Sequence, residues 1–314
     1  MELPEQNAAN RSRIVVIGAG AVGATSAYTL FLRQRAAEIV LIDTRKDKAH
    51  GDALDMNHGM PFAGSTKVWA GDYSDCKGAD VVVITAGTAQ APGETRLDLL
   101  KKNASIVRSI VRDVVKHNSD GVLLVATNPV DILSYLAWKE SGWPANRVLG
   151  TGTLLDTARF RYLISQVAHV DPRSIHAHII GEHGDSELPV WSRANIAGVP
   201  VQLDDVRKDE VFRQTRDAAY EIIQAKGATY YAIALAVDRI CTAILLNESS
   251  VLNVSTLLTD YCGISDVYLG VPTVVGASGV SRLIPLDPLP NELELLQKSA
   301  ETLKQNLRAI LGEE

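Results

Sequence analysis

Four short apolar runs set the terms for any fold of this chain: Ile14-Val-Val-Ile17, Ile39-Val-Leu-Ile42, Val81-Val-Val-Ile84 and Val122-Leu-Leu-Val125. None alternates apolar with polar residues. Successive side chains of a strand point to opposite faces, so an unbroken apolar run belongs where both faces are covered. Between the first two runs lies Ala21 to Leu32, a stretch of small residues with helical composition. Ahead of the fourth run, Asn103 to His117 repeats Ile106, Val107, Ile110, Val111, Val114 and Val115 at helical spacing. Strand, helix and strand in succession predict an α/β architecture around a parallel sheet with right-handed crossovers.

The pattern changes after residue 150. Leu154 to Val167 reads as a helix, and Ser174 to Ile180 as a strand entering the turn Gly181-Glu-His-Gly184. Val211 to Asn247 reads as more than one helix, broken near Gly227. Strand-like pieces follow around Val267–Leu269 and Arg282–Leu286, and a helix from Asn291 to Leu311 closes the chain. The expected organisation is a first domain over 13–150 and an α+β second domain over 151–314, with 1–12 as an arm or disordered tail. The two halves pack directly and leave a cleft between them.

Composition excludes several function classes. Against 31 Lys and Arg stand 37 Asp and Glu, a formal charge of −6, which lacks the basic footprint of a nucleic-acid binder. Hydrophobic residues make up 46%, enough for a large core without disulfides. Cys76, Cys241 and Cys262 are odd in number and widely spaced, as expected of reduced thiols. Residues 1–12 are polar, and no apolar run approaches the ~18 residues needed to span a bilayer. A cytoplasmic protein without membrane attachment is expected.

Gly18-Ala-Gly20-Ala-Val-Gly23 follows the first apolar run and opens the first helix, and Asp43 ends the second run 20 residues beyond Gly23. That is the dinucleotide-binding pattern of a Rossmann-type doubly wound sheet. Gly18 permits the turn, Gly20 lets the backbone approach a pyrophosphate, and Gly23 lets helix and strand pack closely. The phosphates meet the positive end of the helix. Asp43 accepts hydrogen bonds from a ribose and repels a 2′-phosphate, which favours NAD. Arg45 and Lys46 keep NADP open as a lesser option.

Five further segments carry chemistry. Thr85-Ala-Gly87 and Thr127-Asn128-Pro129 each follow a strand, at the carboxyl ends where open α/β sheets bind ligands. Gln90-Ala-Pro-Gly93-Glu-Thr-Arg96 is a loop with Pro and Gly breakers and a cation near its far end. Asp156 and Arg159 stand three residues apart on a helix, and His183 sits between glycines in a turn. An imidazole titrates near neutral pH and suits general acid–base work; a carboxylate on its other nitrogen fixes the tautomer. A guanidinium makes a planar fork for a carboxylate.

In this order, the motifs resemble the L-lactate/malate dehydrogenase family, and within it the bacterial L-lactate dehydrogenase branch, over nearly the whole chain. The resemblance implies an NAD-dependent 2-hydroxy acid dehydrogenase, cytoplasmic and glycolytic, with His183, Asp156 and Arg96 catalytic. It implies that Arg159, Gln90, Asn128 and Thr256 contact substrate, and that Gly18, Gly20, Gly23, Asp43, Thr85, Gly87 and Asn128 contact NAD. No metal is implied. Members acting on malate carry arginine where this chain has Gln90, to pair a second carboxylate; neutral Gln90 therefore implies pyruvate and L-lactate. Arg161 and His176 match positions that bind fructose 1,6-bisphosphate at a subunit interface in the bacterial branch, which implies an allosteric homotetramer.

Other readings compete. Tyr135-Leu-Ala-Trp-Lys139 satisfies the Y-x-x-x-K of short-chain reductases, but no suitably placed serine precedes it. His176, His178 and His183 suggest a metal site without a ligand set to complete it. A malate dehydrogenase, or a non-catalytic NAD-binding sensor, remains the alternative function. Gln90→Arg is expected to raise the ratio of kcat/KM for oxaloacetate over pyruvate by roughly tenfold or more, about 1.4 kcal/mol of new pairing. Steady-state NADH oxidation measures it, and an unchanged ratio removes Gln90 from this role.

Overall fold

The computed structural model describes residues 12–88, 93 and 95–311. Its first half runs β1 (Arg13–Ile17), α1 (Ala21–Leu32), β2 (Glu38–Ile42), α2 (Lys46–His58), a short α3 (Met60–Ala63) and β3 (Lys67–Ala70). It continues with β4 (Val81–Ile84), α4 (Arg96–Val114), β5 (Val122–Val125), α5 (Val130–Ser141) and β6 (Val148–Gly150). These six strands pair in parallel in the order β3-β2-β1-β4-β5-β6. The chain leaves β1 to one side for β2 and crosses to the other for β4. The loops after β1 and β4 therefore diverge and open a crevice, the usual ligand position in such sheets.

The apolar runs are unbroken because each feeds two cores. Val15, Ile17, Val40, Ile42, Val82, Ile84, Leu123 and Val125 pack with residues of α4 and α5 on one face. Ile14, Val16, Ile39, Leu41, Val81, Val83, Val122 and Leu124 pack with Ala27, Leu30 and Phe31 of α1 on the other. β6 is too short, and β3 too mixed, to stand out in the sequence.

The second half comprises α6 (Leu154–Ala168), β7 (Ile175–His176), β8 (Ile179–Ile180), β9 (Leu188–Pro189), β10 (Asn195–Ile196) and β11 (Val199–Pro200). There follow α7 (Asp205–Lys226), α8 (Tyr231–Leu245), β12 (Ser250–Tyr261), β13 (Ile264–Gly276), β14 (Gly279–Leu283) and α9 (Pro290–Leu311). β12, β13 and β14 are antiparallel and extend the first sheet beyond β6 through the pair Ser255–Gly150, making nine strands. Asp238 of α8 bridges the halves, 3.0 Å from Arg33 and 3.1 Å from Arg35. Among the described residues no helix is long and apolar enough to cross a membrane.

Two expectations are corrected. The stretch 174–180 is not one strand: β7 pairs with β10, and β8 with β9 in a separate sheet. Side chains take the carbonyls that a continuous strand needs, Arg161 that of Ala177 and Thr153, Thr157 and Asn253 that of Ile179. The long strand β12 has no counterpart in the sequence reading, because Asn253, Ser255 and Thr256 interrupt its apolar pattern yet are buried.

Candidate active site

The turn between β1 and α1 is built from glycines for two different reasons. At Gly23 a Cβ would lie 1.8 Å from the Gly18 carbonyl oxygen, and at Gly18 (φ +103°) one would lie 2.5 Å from the Ala86 nitrogen. Both are glycines because the protein's own backbone fills the space. At Gly20 a Cβ would meet nothing within 4 Å. Packing does not demand that glycine, and the open side leaves room for a pyrophosphate. Gly20 is the N-cap of α1 and gives it no side-chain cap, so the first N–H groups of the helix are left for an anion.

Asp43, at the end of β2, accepts from the N–H of Ala19 at 2.7 Å and of Arg45 at 2.8 Å. Burial opposes its ionisation, but these two N–H groups and the Arg45 charge hold its carboxyl below the usual range. It is thus a fixed anion beside the glycine turn, suited to a ribose diol. Thr85 donates to the Gly18 carbonyl at 2.7 Å and ties the end of β4 to the same turn. A Cβ at Gly87 would lie 2.5 Å from Thr127 Cγ2, so close packing between the ends of β4 and β5 requires the glycine. These residues fit NAD.

Across the crevice, α6 and the turn after β8 meet. Asp156 is 2% exposed and lies in the first turn of α6. Its Oδ2 is 2.5 Å from His183 Nδ1 and its Oδ1 2.8 Å from Arg159 Nη1. Burial works against the Asp156 carboxylate, but His183 and then Arg159 outweigh it and hold the group below its ordinary range. Burial would likewise lower His183; the Asp156 charge and hydrogen bond reverse this and raise the imidazole to about 9. The ring is therefore a protonated acid at neutral pH. Its Nδ1 is spent on Asp156, leaving Nε2 to face a substrate. A groove of about 590 Å³ between α6, α7 and α8 reaches Arg159.

Three residues outside the motif reading complete the arrangement. Asp131, on α5, accepts from the His183 backbone N–H at 2.7 Å and from Ser255 Oγ at 2.5 Å, and burial pushes its carboxyl up to about 6. It pins the His183 turn to α5 and β12; its place three residues after Asn128 was the available signal. Asn103, on α4, accepts from the Thr88 N–H and donates to the Asn128 carbonyl, each at 2.9 Å. Glu187 is buried beside the site, and Asp156, His183 and Glu187 offer one ligand-type atom each within 4.8 Å of one another. The Arg159 cation on Asp156 opposes a second cation there, so the trio is better suited to handling protons than to holding an ion.

Of the remaining expected residues, Asn128 is exposed at the end of β5, and Thr256 is buried on β12 opposite Leu269. Gln90 lies outside the described residues. Of Arg96 only the backbone is described, as the first residue of α4; a capping box between Thr95 and Asp98 starts the helix there. Arg161 donates to the Ala177 carbonyl at 3.0 Å, which brings it to the residue after His176, and His176 is exposed on β7. Burial lowers the neighbouring His178, and the charges of Arg161 and His176 add to that despite its contact with Asn253. Tyr135 is a core residue whose hydroxyl meets Asp266 at 3.1 Å, and Lys139 lies over the Trp138 ring. That accounts structurally for the Y-x-x-x-K.

Comparison with known proteins adds independent findings. Residues 12–150 match the family described as lactate/malate dehydrogenase, NAD binding domain. Residues 153–314 match lactate/malate dehydrogenase, alpha/beta C-terminal domain. The chain is 53% identical over 301 residues to an L-lactate dehydrogenase of Priestia megaterium, covering 93% of this chain and 95% of that one. It is 50% identical over 307 residues to an L-lactate dehydrogenase of Acetivibrio thermocellus, covering 95% and 97%. Among solved structures it is similar to the minor L-lactate dehydrogenase of Enterococcus mundtii in its ligand-bound form. That match has a TM-score of 0.94 at 44% identity, covering 95% of this chain and 98% of that one.

The Asp156–His183 contact has a consequence for stability. Because folding raises the His183 pKa above its unfolded value near 6.5, its contribution is complete below that pH and is lost as the pH rises through about 9. Asp156→Asn removes the charge that holds the proton. Urea midpoints at pH 6.5 and pH 9 are expected to differ less in the variant than in the parent chain; an equal difference in both contradicts the assignment.

Proposed function

The chain belongs to the lactate/malate dehydrogenase family, and from that premise we propose that it is an L-lactate dehydrogenase, interconverting pyruvate and L-lactate with NAD. The observation that carries the reading is the Asp156 carboxylate held at once by His183 at 2.5 Å and Arg159 at 2.8 Å. NADH, when bound, supplies the hydride. Gly18, Gly20, Gly23, Asp43, Thr85, Gly87 and Asn128 hold the cofactor. Arg159 forks the carboxylate of pyruvate, and His183 delivers the proton from Nε2 to the keto oxygen. Asp156 stabilises the imidazolium before transfer and fixes the tautomer after it. In lactate oxidation the neutral ring takes the hydroxyl proton.

Arg96 places positive charge beside the polarised carbonyl when its loop closes, and closure excludes water. Asn128 and Thr256 bound the pocket. Gln90 provides no charge for a second carboxylate, so a dicarboxylic acid leaves an anion unpaired in a closed site. The reaction regenerates NAD, which fits a glycolytic role in the cytoplasm. NADH oxidation should be faster in kcat/KM with pyruvate than with oxaloacetate by roughly a hundredfold or more, about 2.7 kcal/mol of discrimination. Equal or better use of oxaloacetate moves the chain to malate.

We further propose that the chain is a homotetramer activated by fructose 1,6-bisphosphate through Arg161 and His176. Arg161 donates to the carbonyl of the residue next to His176. Two such pairs facing across a two-fold axis repel one another until a bisphosphate neutralises them. Pyruvate saturation is expected to lose sigmoidicity and gain apparent affinity on adding the bisphosphate. Superimposable curves with and without it remove the effector site.

A further inference from the structure

Glu187 has no task in the mechanism above, yet it sits against the catalytic pair. It follows the Gly181–Gly184 turn and immediately precedes β9, its backbone N–H donating to the Gly184 carbonyl at 3.2 Å. The residue is 7% exposed, and its Oε1 has no hydrogen-bond partner among the described residues. Buried acids are normally paired, and a partnerless one calls for an explanation. One of its oxygens, one of Asp156 and a ring nitrogen of His183 lie within 4.8 Å of one another.

The groups acting on Glu187 come from three elements: Asp156 and Arg159 from α6, His183 from the turn, and Arg216 from α7. Asp131 of α5 acts on His183 as well. Two buried carboxyl groups this close resist ionising together unless a cation lies among them. Arg159 is a fixed cation there, and His183 is the one that holds only while it keeps its proton.

We propose that Glu187 is a positioning residue for the protonation state of His183: as the pH rises the buried carboxyl yields its proton in preference to the imidazolium, and the carboxylate so formed holds the remaining proton on the ring. The order follows from charge. Losing the imidazolium proton first would take the cation out of the 2.5 Å Asp156–His183 pair, whereas losing the Glu187 proton first keeps that pair and sets the new carboxylate beside its cation. If Glu187 ionises first, its charge faces a cation and raises the work of removing the next proton. Burial and then Asp156 push Glu187 up to about 9. For His183, burial is outweighed by Asp156, with Asp131 and Glu187 adding to the rise to about 9. The proton affinity of each group therefore depends on the charge of the other. The consequence for catalysis rests on the reading of His183 as proton donor under Proposed function; the electrostatic relation does not.

The test is a titration of His183 that needs no turnover. Diethyl pyrocarbonate acylates only the neutral imidazole, and mass spectrometry of the His183 peptide gives its rate at each pH in the full-length protein. In Glu187→Gln, which keeps the shape and removes the acid, the midpoint is expected to fall by about half a pH unit or more. Acylation below the midpoint then speeds up by roughly threefold. Glu187→Asp retains a carboxyl and should titrate between the two. The alkaline limb of pyruvate reduction should move in the same order. Coincident midpoints in the parent chain and Glu187→Gln overturn the proposal, as does a shift in Glu187→Asp as large as that in Glu187→Gln. Should the chain fail to reduce pyruvate, the acylation titration still decides the role of Glu187.

Discussion

Asp156 is an anion almost wholly removed from water, and two cations keep it one: His183 at 2.5 Å and Arg159 at 2.8 Å. Removing either partner leaves a charge with no solvent to stabilise it, which is why such groups are strongly position-determining. The same contact orients the imidazole, raises its proton affinity and sets the guanidinium beside it. One buried carboxylate thereby links helix α6 to the turn after β8. The charged imidazole, the guanidinium and their spacing all follow from it.

The sheet makes that contact possible. Six parallel strands create the crevice, and the antiparallel β12–β14 extend the same hydrogen-bonded layer into the second half of the chain. Asp131 exploits the continuity: lying on α5, it reaches the His183 N–H on one side and Ser255 of β12 on the other. The proton-handling turn is thus fastened to the dinucleotide-binding half by a hydrogen-bonded buried acid rather than by a surface contact. In this NAD-dependent oxidoreductase of the lactate/malate dehydrogenase family, one buried acid thus ties the two halves together at the His183 turn.

Much of this was legible in the sequence, and for identifiable reasons. Ile14–Ile17 and its three counterparts read correctly as strands because burial on both faces leaves an unambiguous apolar run. Ala21–Leu32 read correctly as a helix because the glycine turn marks its start. β12 was invisible because its polar residues are satisfied by partners far away in sequence, as Asn253 is by His178 and Ile179. The single strand expected over 174–180 failed because side chains from α6 and β12 take its carbonyls. Asn103 carries no local signal of function and Asp131 only its place three residues after Asn128, since the groups each one holds are brought near only by folding.

Residue order alone determined the doubly wound sheet, the glycine turn with the acid that ends the second strand, and the types of group available for proton and carboxylate chemistry. These depend on local periodicity and on spacing along one strand–turn–helix unit, which the chain carries before it folds. The folded structure decided which acids are ionised, which imidazole is charged, and that Glu187 belongs beside them. Those properties depend on desolvation and on charges within a few ångströms, and both are set by α6, the turn after β8 and Asp131 of α5, segments that meet only when the chain folds.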